Sequence, residues 1–434
     1  MDFIHIIEKK RDGGKLSKEE IYYFISKYVA GEIPDYQVAA LLMAIYLNGC
    51  DDEETYDLTY SMAYSGDVID LSAIPGIKVD KHSTGGVGDK VTLIVAPVAA
   101  SCGVPTAKMS GRGLGFTGGT IDKLESIPGF STSLSEDEFI SQVKETGYAL
   151  IGQTKDLAPA DKLLYALRDV TGTVGCVPLI ASSIMSKKIA AGSDAIVLEV
   201  THGTGAFMRE EEKAHELARL MMDIGRRAGL EMRAVITDMN EPLGHSIGNS
   251  LEVIEAIEAL KGNTAEDVYE VMHVIIPEMI VAGGKADSRE EAWNMAKEAI
   301  SSGRALECFR SMIRCQHGDP GIIDDYSLLP EAPYHIDVTA DADGFLKVND
   351  CAGIGECLKV LGGGRLTKEQ EIDLSVGLEM RVKHQDEVKK GDLLLEIFAR
   401  NKEEAEAARD QYLASVEITK EKPEKDALIY TLDD

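Results

Sequence analysis

From about residue 76 onward, short apolar runs alternate with helical patterns, and this alternation restricts the fold more than any other feature of the chain. The runs IKVD, VPTAKM, YALIG, AIVLEV and AVITDM are the short ones. Most are followed by glycine or polar residues and then by a helix-period stretch, such as Leu93 to Ala100 after the first. This is the pattern of βαβ units built on a mainly parallel sheet. Two helical stretches, roughly 159–169 and 180–192, fall between YALIG and AIVLEV and need not pack on that sheet.

The flanking regions read differently. Ser17-Lys18-Glu19-Glu20 is a capping box. Behind it Ile21, Phe24, Ile25 and Tyr28 fall on one helical stripe, and Val38, Leu41, Leu42 and Ile45 repeat it. Asp51 and Asp52 offer a cap for a third helix. The first 65 residues are therefore expected to form a small bundle with a face left for dimerisation. From about 330 the pattern turns to short strands and turns, as in LEMRVKHQDEVKKGDLLLEIFA, which predicts an α+β module. The tail after about 418 is charged and reads as a surface segment.

Length and charge set limits. At ~150 residues per domain, 434 residues suggest two or three domains. With 45 Lys+Arg against 74 Asp+Glu the net charge is −29, which argues against nucleic acids and anionic membranes as partners. No window approaches the ~18 apolar residues of a membrane span, and the start MDFIHIIEKKRDGG has no secretory pattern. The seven cysteines contain no CxxC pair. They read as reduced thiols of a cytoplasmic protein.

Taken as a default, −29 also argues against an anionic substrate, yet two segments contradict it locally. Residues 81–123 hold five Lys/Arg and two acids, and residues 161–190 hold four and two, so both are net positive. The first begins with KHSTGGVGDK, at the carboxyl end of an expected strand, where open α/β sheets place ligands. Its glycines let the backbone approach a ligand closely. N–H groups at a helix start, with Ser83, Thr84 and the charge of Lys81, favour an anion such as phosphate. A second loop, Lys108 to Thr120, carries five glycines and repeats TGGxxDK 33 residues after the first. Neither loop is a Walker or a dinucleotide turn; the plainer alternative is two flexible glycine-rich turns. In the other segment, Asp161, Tyr165 and Arg168 share a helical stripe, and Ser183 and Lys187 stand four apart. An Arg fork, a Lys and a hydroxyl can read the carbonyl edge of a planar heterocycle. Taken alone, such residues more often make a solvated face with an Arg–Asp pair.

KHSTGGVGDK, MSGRGLGFTGGTIDKLESIPGF, APADKLLYALRDVTGTV and ASSIMSKKIAAG resemble the pyrimidine nucleoside phosphorylase / thymidine phosphorylase family, and the resemblance runs to about residue 420. It implies an α/β fold with a small all-helical domain (1–65 plus 160–192, base binding and dimerisation), a large mixed α/β domain with a mainly parallel central sheet (76–155 plus 195–330, phosphate binding), and a C-terminal α+β module (331–434). Hinges near 66–75, 155–160 and 190–195 would close a cleft between the first two. The implied reaction is reversible phosphorolysis of uridine, thymidine or deoxyuridine to free base and (deoxy)ribose 1-phosphate, by a homodimer. Inorganic phosphate is the co-substrate, and no organic cofactor is implied.

Carried over by motif, Lys81, Ser83, Thr92, Lys108, Ser110 and Thr120 lie on the phosphate side, and Tyr165, Arg168, Ser183 and Lys187 hold the base. His82, Arg168 and Lys187 are the catalytic candidates; Phe207 is a further wall of the base pocket, and Asp161 orients a cation. Lys108 is expected to reach the ribose 2′-hydroxyl, so that uridine as well as thymidine is used. A potassium site is implied at Gly88, Lys90, Leu243, Ser246 and Glu255. The chain departs from its relatives at two places: Lys90 where they usually have an uncharged residue, and Thr201 where they typically have Lys. Three other readings stay open: a strict thymidine phosphorylase, a phosphoribosyltransferase of related fold, and a non-enzymatic phosphate or nucleotide sensor.

Overall fold

The computed structural model describes residues 1–113, 115–116, 118–154, 156–365 and 370–430. It contains two compact units. The first comprises Met1–Ala73, Gln153–Ile196 and His215–Arg233; the second comprises Ile74–Gly152, Val197–Ala214 and Ala234–Asp434.

The first unit is helical, and its local signals act where the pattern puts them. Ser17 caps the helix Lys18–Val29, accepting from Glu20 N while Glu20 reaches back to Ser17 N. Asp51 does the same for Asp52–Ala63 through Glu54. The stripe Ile21, Phe24, Ile25 and Tyr28 meets Val38, Leu41, Leu42 and Ile45 in one buried cluster, joined by Leu164 and Leu179 from later in the chain. Each such side chain contributes about 1.5–3 kcal/mol by leaving water. A buried ion pair, Lys10 Nζ to Glu54 Oε1 at 2.7 Å, ties the helix Phe3–Arg11 to Asp52–Ala63. The segments expected as hinges are bonded to one another: Asp67 N donates to Asp156 O and Ile69 N to Ala190 O, both at 2.9 Å. A Cβ at Gly66 would stand 2.1 Å from Asp156 O, so only glycine permits that approach. Lys155, in the same segment, lies outside the described residues.

In the second unit the α/β pattern is present, but the strands divide into separate ladders. Thr106–Ser110 pairs in parallel with Tyr148–Gly152, with Thr106 opposite Tyr148. A four-stranded sheet orders Val79–Ser83, Ala195–His202, Glu231–Asp238 and Ile429–Tyr430. Its last member adds to the reading of the tail, which is largely exposed as expected but ends in a paired strand. Ile429 and Tyr430 pair antiparallel with Thr237 and Ile236, so a segment expected on the surface supplies an edge strand. An exposed strand edge offers unpaired N–H and C=O groups, and the tail caps it. The first strand is also displaced from the apolar run IKVD. It runs Val79–Ser83 and so carries Lys81, His82 and Ser83 within the sheet, not in the loop beyond it.

The C-terminal module is α+β. Its sheets order Glu387–Val388, Gly344–Val348, Val416–Thr419 and, separately, Ser246–Ile247, Gly377–Met380, Leu393–Ala399, Tyr334–Thr339. Ser246–Ile247 comes from the α/β part and pairs with Leu378 and Glu379, so the module shares a strand with it. The helices Cys351–Val360 and Lys402–Ser415 complete its core, which buries Ile354, Leu358, Leu395, Ile397 and Tyr412. Among the described residues no helix is long and apolar enough to cross a membrane, and all seven cysteines are free.

Candidate active site

The phosphate-loop residues occupy the ends of two strands and the starts of two helices. Lys81, His82 and Ser83 end the strand Val79–Ser83. Thr92 is buried in the first turn of the helix Val91–Ser101. Ser110 ends the strand Thr106–Ser110, and Thr120 opens the helix Thr120–Leu124. The first loop is folded on itself: Ser83 Oγ accepts from Gly85 N at 3.0 Å. In the second loop, a Cβ at Gly119 would lie 2.0 Å from Gly113 N, so the loop's two ends touch through glycine. Thr117, the first residue of the repeated TGGxxDK, lies outside the described residues, as does Leu114.

Every cation of this segment is matched by an acid. Lys81 Nζ is fully buried against Glu199, with Asp89 at 4.0 Å. Lys123 lies 2.8 Å from Glu252, Lys90 2.6 Å from Glu255 and Lys108 3.2 Å from Asp80. Arg112 forks onto Glu125 at 2.5 and 2.7 Å and meets Asp122 at 3.0 Å. The positive balance counted along residues 81–123 is therefore offset by Asp80, Glu125, Glu199, Glu252 and Glu255, all from outside that window. One ammonium faces two carboxylates at Lys81. Burial pushes Glu199 up and Asp89 adds to it, against the pull of Lys81. Asp89 is held below its ordinary range, since Lys81, Lys123 and Ser83 outweigh its burial.

Glu199 was legible as an anomaly, an acid inside the apolar run AIVLEV, because a fully buried Glu requires a partner. Thr201, to which no role fell from sequence, latches the first loop. Its N–H donates to Thr84 Oγ1 at 2.9 Å and its hydroxyl to Gly85 O at 2.5 Å. Phe207 is 39% exposed and packs against Phe116 of the second loop, ring centroids 5.7 Å apart.

The base-side residues lie in the helical unit, on Pro159–Thr171 and Val177–Ala190. Proline opens the first of these helices after Ala158, a non-glycine residue in the left-handed region at φ 44°. Lys187 Nζ is held by Asp161 Oδ2 at 2.8 Å and Ser183 Oγ at 3.3 Å. The cation that Asp161 orients is thus Lys187, and Arg168 is occupied elsewhere. Its guanidinium donates to Val174 O at 2.7 Å, Leu179 O at 3.0 Å and Thr173 O at 3.3 Å, fixing the turn between the two helices. It lies 5.9 Å from the Tyr165 ring centre. Burial holds it below the usual arginine value. Lys187 retains one N–H of three and Arg168 two of five beyond these bonds.

The five residues assigned to potassium come together, but not as a cation cage. Lys90 Nζ donates to Leu243 O at 2.7 Å, Ser246 O at 3.0 Å and Glu255 Oε2 at 2.6 Å. Gly88 O accepts from Lys90 N at 2.9 Å. The oxygens suit a monovalent cation, but the ammonium takes three of them, so these residues do not fit an added potassium ion. Among the described residues no group of three or more His, Cys, Asp and Glu side chains could hold a metal ion.

Fold and loops define a glycosyl transferase with a helical bundle. The family's a/b domain matches residues 76–306, its helical bundle domain 4–66, and the pyrimidine nucleoside phosphorylase C-terminal domain 345–419. The chain is 52% identical to the pyrimidine-nucleoside phosphorylase of Geobacillus stearothermophilus, over 99% of both chains. It is 52% identical to that of Bacillus subtilis, over 100% of this chain and 99% of the relative. The chain belongs to the pyrimidine-nucleoside phosphorylase family. Among solved structures, anthranilate phosphoribosyltransferase from Thermus thermophilus shares the fold, with TM-score 0.59 and 21% identity over 73% of this chain and 99% of that one.

Proposed function

We propose that the chain catalyses reversible phosphorolysis of pyrimidine nucleosides, with uridine, thymidine and deoxyuridine as substrates. The observation that carries this reading is 52% identity over essentially the full length to relatives named for that activity. A phosphate oxygen attacks the anomeric carbon as the C–N bond to the base breaks. The bonding pair leaves on the pyrimidine nitrogen and spreads to the ring carbonyls, and a proton then neutralises the base. Backbone N–H groups of the glycine loops, Lys81, and the hydroxyls of Ser83, Thr92, Ser110 and Thr120 bind and orient phosphate. Lys187 and Arg168, with their uncommitted N–H groups, stabilise the departing pyrimidine anion. Ser183 and Tyr165 position the ring, and His82 donates a proton or hydrogen bond to a base carbonyl. Lys108 reaches the ribose 2′-hydroxyl, for which its ammonium must leave Asp80.

Inorganic phosphate is the co-substrate, and the reaction calls for no organic cofactor. We assign a cytoplasmic homodimer joined through the helical unit, where Tyr22, Tyr36, Tyr46 and Leu47 are exposed. Light scattering on the purified chain checks the dimer. For the reaction, uridine, thymidine and cytidine are incubated with and without phosphate and free base is followed. Release that requires phosphate supports phosphorolysis, and release of thymine alone marks a strict thymidine phosphorylase. Release without phosphate indicates a hydrolase, and no release with any nucleoside sinks the reading. A phosphoribosyltransferase would instead join a free base to a 5-phosphoribosyl pyrophosphate, and a sensor would bind without turnover. The acids beside the second loop, Asp122 and Glu125, are engaged by Arg112, which disfavours a metal-pyrophosphate site there.

A further inference from the structure

The segment 242–246 is wrapped by two ammonium groups, the buried Lys90 and the half-buried Lys383. Lys383 donates to Pro242 O, to Gly244 O at 2.9 Å and to Asp267 Oδ2 at 2.8 Å. Lys90 takes the intervening carbonyls, Leu243 and Ser246, together with Glu255. Its side chain is completely buried, and three oxygens satisfy its three N–H donors. Glu255 is shaped for one cation: its other oxygen accepts from His245 N at 2.7 Å. Gly244, at φ +70°, lets the loop close around the ammonium, since a Cβ there would stand 2.7 Å from Lys90 Nζ. Lys90 also precedes the helix Val91–Ser101 and ends the glycine loop that follows the strand Val79–Ser83.

We propose that the Lys90 ammonium is a tethered monovalent cation, occupying the oxygen site built by Leu243, Ser246 and Glu255, and that this chain needs no potassium. Lys90 is a positioning residue. It pins the end of the first glycine loop to the segment 242–246 and to the helix Asn249–Leu260, holding the helix start at which phosphate binds. One carboxylate cannot neutralise an ammonium and a second cation at the same distance, so covalent attachment of the charge replaces affinity for an ion.

The activity arm of the test rests on the proposed phosphorolysis; the melting and ion-binding arms do not. The wild-type chain is compared in potassium and in tetramethylammonium salts at equal ionic strength. Its rate is expected to change by less than about twofold and its melting midpoint by less than about 1 °C. A larger, potassium-specific gain in either overturns the proposal. Lys90→Ser opens room beside Glu255. It is expected to raise KM for phosphate about tenfold or more, with KM and melting midpoint recovering in potassium but not in tetramethylammonium. Lys90→Met keeps the bulk without the charge and is expected to lose as much without recovery. Thallium-205 NMR should report one bound ion in Lys90→Ser and none in the wild type. A bound ion in the wild type, or a Lys90→Ser chain indifferent to potassium, overturns the proposal. Should both variants fail to fold, the wild-type comparison still decides. Should no nucleoside be cleaved, the phosphorolysis reading fails, while melting and thallium binding still judge Lys90.

Discussion

The two groups of candidate residues, one in each unit, hold their cations differently. On the helical side, Lys187, Ser183 and Asp161 lie within 26 residues of one another and on two adjacent helices. Lys187 keeps 23% of its side chain exposed. On the phosphate-loop side, Lys81, Lys90, Lys108 and Lys123 are almost completely buried, and three of them meet acids more than a hundred residues away. Removing Lys187 would leave one buried carboxylate, Asp161, unpaired. Removing Lys81 would leave two, Glu199 and Asp89, and the cost rises with each unpaired buried charge. The helical group therefore stakes less of the fold on its cation than the loop group does.

The sharpest way to break this contrast is Lys81→Met. It leaves Glu199 and Asp89 buried without their ammonium, so urea unfolding should show a loss of about 3–5 kcal/mol, along with loss of phosphorolysis. A variant as stable as the parent would refute the claim that the pair is structural. Lys187→Met tests the other group. Its kcat/KM should fall by roughly 10²–10³, with a smaller loss of stability than Lys81→Met because only Asp161 is left unpaired. Asp161→Asn should show a smaller drop of the same kind, because it only orients the lysine.

A pH series extends the contrast to the half-buried Lys383–Asp267 pair. Burial alone would raise Asp267, but Lys383 and two backbone N–H groups outweigh it and bring the carboxyl down to about 2 from the ordinary 3.8. A depressed folded value means stability that is present above the ordinary value and lost as pH falls through the folded one. The pair should thus contribute about 2 kcal/mol above pH ~4, disappearing toward pH ~2. The stability gap between the wild type and Asp267→Asn should narrow over that window, and a constant gap would contradict the assignment. The smallest effect is expected for Lys108→Met. Leaving Asp80 without this ammonium costs stability, but the readout here is specificity: the uridine-to-thymidine ratio should drop about threefold or more, and an unchanged ratio removes Lys108 from specificity.

Some of this was readable residue by residue. The capping boxes at Ser17 and Asp51, the stripes of the first helices and the βαβ alternation all rest on contacts within about four residues or on period alone. The glycine loops announced close backbone approach, and Ser183 and Lys187 could be grouped because helical spacing put them four apart; that Asp161 meets Lys187 and not Arg168 could not, since Asp161 and Lys187 lie on different helices. The edge strand within the tail was not legible because Ile429 and Tyr430 are too short a run to signal a strand, and their partner, Glu231–Asp238, lies nearly two hundred residues earlier. Thr201 stood out as a departure from the relatives' lysine, but its role could not be read, since its partners Thr84 and Gly85 lie more than a hundred residues away.

By itself, then, the sequence determined the elements, the glycine turns, the family and the residue types available to phosphate and base. The tertiary structure alone decided where the charges stand. Counting along the chain made residues 81–123 positive, but electrostatics acts through space. Asp80, Glu199, Glu252 and Glu255 come from other elements and neutralise that segment, and Lys90 fills the site expected for an ion. Short-range steric and hydrogen-bonding rules can be read in a linear window. Coulomb partners are chosen by the fold.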